Sequence, residues 1–125
     1  MSETTALKPA PRALKLGHAV LQVRDLARSA RFYGEALGLA EVARYQGRMA
    51  FFSCGENHHD LALLEVGAGA ASADPRAVGL YHLAFKVGDT LAELRAFRER
   101  LAALGVALEG QADHRVSQAL YFRDP

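Results

Sequence analysis

The 125-residue sequence has one cysteine, Cys54, so no internal disulfide framework can form. A lone thiol fits a reducing compartment, and a cytoplasmic setting is expected. Tryptophan is missing and proline occurs only four times. No apolar run approaches the roughly 20 residues of a membrane span, so no membrane partner is expected. An excess of one charge sign is lacking too: 15 basic and 14 acidic residues leave a net charge of +1. That balance gives no reason to expect nucleic acid or an anionic surface as partner. What remains is 50% hydrophobic and 23% charged, the composition of an ordinary globular chain,. Residues 1–13, with Lys8, Pro9, Pro11 and Arg12 and no signal-like apolar run, read as a flexible arm ahead of one domain over 14–125,.

What the chain does have is five histidines, two of them at equivalent places in an internal repeat. Leu16-Gly17-His18-Ala19-Val20-Leu21-Gln22-Val23-Arg24-Asp25 is echoed by Leu80-Tyr81-His82-Leu83-Ala84-Phe85-Lys86-Val87-Gly88-Asp89, with His18 and His82 64 positions apart. Phe32 and Phe97 follow at an offset of 65, Gly38 and Gly105 at 67. The pattern is two copies of one strand–helix–strand unit.

In order, Leu16–Val23 is expected as a strand and Arg28 to Leu37 as a helix with Ala30, Tyr33 and Leu37 on one face,. Glu41–Tyr45 and Met49–Ser53 form a hairpin turning at Gln46-Gly47, and His58–Val66 a fourth strand,. The Gly-, Ala- and Ser-rich stretch Gly67–Pro75 favours a linker over about 68–77, between a module of about 14–67 and one of about 78–125,. The second module opens with the strand Tyr81–Val87. Thr90-Leu91-Ala92-Glu93 is a capping-box pattern, followed by a stripe of Leu91, Leu94, Phe97, Leu101 and Leu104,. Val106–Glu109 and Ser117–Phe122 are expected strands around the loop Asp113-His114-Arg115, one strand fewer than in the first copy. The expected class is α+β.

Three motifs in this order are similar to the vicinal oxygen chelate superfamily of glyoxalases, bleomycin-resistance proteins and extradiol dioxygenases. They are Gly17-His18-x-x-Leu21-x-Val23-x-Asp25-Leu26, Tyr81-His82-Leu83-Ala84-Phe85-Lys86-Val87 and Ser117-x-x-Leu120-Tyr121-Phe122-Arg123-Asp124-Pro125. The resemblance covers Leu16 onward. It implies paired βαβββ modules forming a curled mixed sheet around a metal cavity, with the last strand of the second module absent from the sequence given. It also implies His18 and His82 as ligands of one divalent metal, Fe(II) with Mn, Zn, Ni or Co as alternatives. Each histidine alone could equally be a packed core residue.

Glyoxalase-like relatives would add a carboxylate in the pattern Glu-Leu-Leu-Glu. Here the stretch is Ala62-Leu63-Leu64-Glu65, with Ala62 at the ligand position and Glu65 of opposite strand parity,. The His58-His59-Asp60 run instead resembles that of extradiol dioxygenases, which implies His59 as an acid–base group. The resemblance further implies His114 as a supporting histidine and Tyr121 as a hydrogen-bond donor to substrate. The third ligand, a glutamate after Asp-Pro, would fall beyond Pro125. Arg44, Arg48 and Lys86 could meet an anionic substrate or simply be solvated. The resulting expectation is ring cleavage of a small catechol-like aromatic with dioxygen, by a homodimer. A glyoxalase-like lyase or isomerase, or a bleomycin-resistance-type ligand-binding protein, are the alternatives.

Overall fold

Asp25 closes the first strand and opens the first helix. Its backbone is extended (φ −132°, ψ 107°), and its carboxylate accepts from the amide of Arg28, which satisfies one of the unpaired donors of the first turn,. The computed structural model describes residues 10–113 and 118–125. The first copy comprises β1 (Ala19–Val23), α1 (Leu26–Glu35), β2 (Ala40–Tyr45), β3 (Met49–Ser53) and β4 (Leu61–Glu65). These strands form one sheet in the order β1-β4-β3-β2, with β1 parallel to β4 and the other pairs antiparallel. The hairpin turns where expected, on Gln46 (φ 50°) and Gly47 (φ 67°), both left-handed, in a turn closed by Arg48 N donating to Tyr45 O at 3.0 Å,.

Register decides which residues meet the helix. Leu21 lies opposite Leu63, Phe52 opposite Leu61 and Ala50 opposite Leu63. This face packs on Leu26, Ala30 and Tyr33 of α1, and Phe52, Leu61 and Leu63 are at most 1% exposed. Alternation turns Val20, Met49, Phe51, Ala62 and Leu64 to the opposite face, which carries no helix of this copy.

The second copy is thinner. Helix α2 (Leu91–Ala103) starts on the expected capping box: Thr90 accepts from Glu93 N, and Glu93 Oε2 accepts from Asp89 N at 2.8 Å,. β5 (Leu108–Asp113) and β6 (Gln118–Phe122) make a separate two-stranded antiparallel sheet. The whole is a mixed α+β structure, a four-stranded mixed sheet plus this pair. β5 begins two residues later than expected and runs on to Asp113, because its register follows β6.

Other expectations need correction as well: β1 begins at Ala19, not Leu16, so His18 lies just before it. Tyr81–Val87 forms no hydrogen-bonded strand. Its side chains still alternate: Leu83, Phe85 and Val87 are half-buried, with Leu83 and Phe85 packed against the core, while His82, Ala84 and Lys86 are exposed. The ladder is lacking because β1, its counterpart, pairs only with β4, and no counterpart of β4 exists among the described residues of the second copy. Likewise β4 starts at Leu61, not His58; His58 and His59 lie in the loop that the Asp60 side chain closes through Cys54 N and the Asn57 amide.

Beside the packing of Leu83 and Phe85, hydrogen bonds tie the copies together. Arg100 of α2 donates to the Glu35 carbonyl at the end of α1 (2.7 Å), and the Tyr33 hydroxyl donates to Asp124 (2.5 Å). Burial, then the Asp124 carboxylate, pushes the Tyr33 phenol well above its usual range,. No helix among the described residues is long and apolar enough to cross a membrane.

Candidate functional site

The site grows from the loop between β3 and β4. Asp60 closes it: one carboxylate oxygen accepts from Cys54 N (2.7 Å) and the other from the Asn57 amide (2.6 Å). Ser53 Oγ donates to the Asn57 carbonyl and accepts from Gly55 N, while Lys15 donates to Asn57 Oδ1. The Cys54 amide above all, then the Asn57 side chain, holds the Asp60 carboxyl below its usual range,. Burial and the same carboxylate push the Cys54 thiol up, away from thiolate chemistry,. The main chain of Asp60 also joins the sheet, its amide donating to Phe52 O (2.8 Å) and its carbonyl accepting from Ala19 N (3.1 Å).

That last bond places two of the expected residues side by side. His18 precedes Ala19 and His59 precedes Asp60, so the tie between Ala19 and Asp60 brings the two imidazoles to a centroid distance of 4.6 Å. His59 is half-buried, with the Phe51 ring edge-on at 5.2 Å. Phe51, Val20 and Leu64 continue the apolar face next to the pair. His18 lies just before β1 and is exposed.

Within the expected strand His58–Val66, alternation would turn His58 away from His59, and the structure does not do so,. Both residues lie ahead of β4, where strand alternation does not apply. Their rings are 5.2 Å apart and nearly perpendicular, with Nδ1 to Nδ1 at 2.9 Å. No sequence pattern flags this contact, because it depends on where the strand begins.

His82 is exposed on the unpaired segment, between Tyr81 (ring centroids 5.2 Å) and Tyr121 of β6 (6.4 Å). Tyr121 is 40% exposed. His114 lies outside the described residues. The structure therefore shows two separate ring pairs, His18 with His59 and His82 with Tyr121. No ring contact or hydrogen bond joins His18 to His82. Neither imidazole has a hydrogen bond among the described residues, so their chemistry suits a divalent cation,. The described residues nevertheless include no group of three or more His, Cys, Asp or Glu placed to hold one. They supply donors of the right type without assembling a coordination shell.

Glu65, Arg44 and Lys86 are otherwise engaged. Glu65 Oε2 accepts from Leu26 N at 2.8 Å, which places its carboxylate at the start of α1,. Ala62 is fully enclosed, so β4 offers no carboxylate to the open face. Arg44 pairs with Glu41 (2.8 Å) and Lys86 with Asp89 (2.7 Å) in exposed ion pairs. Asp89 raises the Lys86 ammonium above its usual range.

The sequence profile of the Glyoxalase/Bleomycin resistance protein/Dioxygenase superfamily matches residues 15–125. Biphenyl-2,3-diol 1,2-dioxygenase 3 of Rhodococcus globerulus is 33% identical over 115 residues, covering 89% of this chain and 58% of that protein. Catechol-2,3-dioxygenase of Bacillus subtilis (strain 168) is 37% identical over 111 residues, covering 88% of this chain and 38% of that protein. The chain thus spans about half the length of the curated relatives it matches. Among solved structures, a glyoxylase/bleomycin resistance protein/dioxygenase domain from Frankia sp. EAN1pec matches with TM-score 0.73 and 31% identity, covering 90% of this chain and 91% of that one. Lactoylglutathione lyase from Agrobacterium tumefaciens matches with TM-score 0.63 and 25% identity, covering 94% and 89%.

Proposed function

Because the chain belongs to the Glyoxalase/Bleomycin resistance protein/Dioxygenase superfamily, we propose that it serves extradiol ring cleavage of a small catechol-like aromatic by dioxygen. The observation that carries this reading is the His18–His59 pair, 4.6 Å apart at the edge of an apolar face with no carboxylate on its β4 side. A glyoxalase-like lyase or isomerase needs a proton-transfer carboxylate, and the enclosed Ala62 stands where one would be.

In this reading His18 and His82 would hold a divalent metal, Fe(II), together with a further donor. Such a metal would supply Lewis-acid and redox chemistry for the reaction of a catechol with dioxygen. The chain's own residues do the rest. His59 takes a proton from a catechol hydroxyl through the ring nitrogen not engaged with His58, and returns it later. Val20, Phe51 and Leu64 flank the aromatic ring and exclude water. Tyr121 donates a hydrogen bond to a substrate oxygen, and His114 supports the bound substrate. The working form is proposed to be a homodimer, in which the open face and the unpaired Tyr81–Val87 segment gain cover; a clean monomer in light scattering would contradict that part.

The test is anaerobic loading with Fe(II), a panel of catechols and admission of oxygen. His59→Phe is expected to slow oxygen uptake by about 10²–10⁴-fold, the worth of a positioned acid–base group, with metal content unchanged. His18→Ala and His82→Ala are expected to lose metal by elemental analysis. Undiminished stoichiometry in either variant, or no oxygen consumption with any catechol, defeats the reading.

A further inference from the structure

The two adjacent histidines of the β3–β4 loop meet through the same ring atom. His58 Nδ1 and His59 Nδ1 are 2.9 Å apart, a hydrogen-bond distance,. Between two neutral imidazoles such a contact exists only when one Nδ1 carries a proton and the other does not, so the rings are held in opposite tautomers. The pair is pinned from both sides. Asp60, which follows His59, is fastened through both carboxylate oxygens, and Asn57, which precedes His58, through its amide and its main-chain carbonyl. His59 has no other hydrogen bond among the described residues, and its ring is packed by His18 and Phe51. Its Nε2 is therefore the unengaged nitrogen.

We infer that His58 is a positioning residue for His59: its Nδ1 accepts a hydrogen bond from His59 Nδ1–H and thereby leaves His59 Nε2 without a proton. The inference rests on the reading of His59 as a proton acceptor, which needs one bare ring nitrogen. With the bond reversed, His59 would carry its proton on Nε2 and could receive none there. His58 itself is exposed and acts only through its neighbour. The arrangement follows the logic of a catalytic triad, in which a third group fixes the tautomer of the working imidazole, with a second imidazole in the place of the usual carboxylate.

The experiment is two-bond ¹H–¹⁵N correlation NMR of the uniformly labelled chain at mildly alkaline pH, where imidazole is neutral. The expected result is His59 in the Nδ1–H form and His58 in the Nε2–H form. His58→Ala should move His59 toward the Nε2–H form, while His58→Asn, whose side-chain oxygen can accept, should keep the parent tautomer. The inference is overturned if His59 is the Nε2–H tautomer in the parent, or if His58→Ala leaves its tautomer unchanged. The parent spectrum decides even if a variant fails to fold. Because this readout needs neither metal nor oxygen nor catechol, it separates from the dioxygenase reading. Tautomer control without any ring cleavage would defeat that reading alone, and ring cleavage with His59 indifferent to His58 would defeat this inference alone.

Discussion

At the scale of single residues, Asp60 decides how firmly the candidate acid–base group is held. Its carboxyl is held low in the folded chain, chiefly by the Cys54 amide and then by Asn57. A depressed carboxyl contributes stability above its ordinary value of about 3.9 and loses it as pH falls through the folded value. Acidification below about pH 4 is therefore expected to release the loop, read as loss of amide protection at Cys54 relative to the unstructured rate at the same pH, while the β4 amides stay protected,. In Asp60→Asn the same loop should exchange with no acid step, and a step that persists there would assign it to another group. The repeat singles out His18 and His82 in the sequence, and the structure places them in separate ring contacts, His18 with His59 and His82 with Tyr121. The partnership of His58 with His59 was not legible there: strand alternation would have separated them, and only the start of β4 at Leu61 puts both in a loop.

At the scale of elements, signals written within a few residues were readable and those needing a distant partner were not. Thr90-x-x-Glu93 gave the start of α2, and Gln46-Gly47 the hairpin turn, because each contains its own hydrogen-bonding partners or its own required backbone angles. Tyr81–Val87 has the side-chain pattern of a strand, but a strand also needs a neighbour, and its neighbour is set elsewhere in the chain. The capping box carries a sharper consequence at Gly88. A Cβ placed there would lie 1.8 Å from Glu93 Oε2, the atom that accepts from Asp89 N. Gly88→Ala should therefore expel the Glu93 carboxylate and cost about 1 kcal/mol, the usual worth of a cap. Urea unfolding of Gly88→Ala beside Glu93→Ala measures it. Since both changes remove the same bond, the double variant should be little worse than either alone; additive losses would show that Gly88 matters for another reason.

For the molecule as a whole, the repeat visible in the sequence does not give two equal halves. In the first copy Leu61 and Leu63 of β4 fill the space beneath α1, and both are at most 1% exposed. In the second copy a groove of about 470 Å³ lies between α2 and the β5–β6 pair, bordered by Leu91, Leu94 and Leu120 together with Arg95, Arg98 and Gln111. Close packing and paired backbone set local stability, so the two copies should open at different free energies. Native-state hydrogen exchange is expected to show the slowest amides in β3 and β4, at Phe52, Leu61 and Leu63. Exchange across Tyr81–Val87 should be many times faster, even though Leu83 and Phe85 are packed on the core, because no ladder holds their amides. The same measurement bears on the proposed site, since His82 sits in this segment and His18 beside the protected sheet. Loading with Fe(II) should slow exchange around His82 far more than around Ala19, because only the unpaired segment has freedom left to lose. Protection of Tyr81–Val87 equal to that of β4 in the metal-free protein would mean that the segment has found a strand partner in solution, and the asymmetry argued from the two sheets would then be wrong.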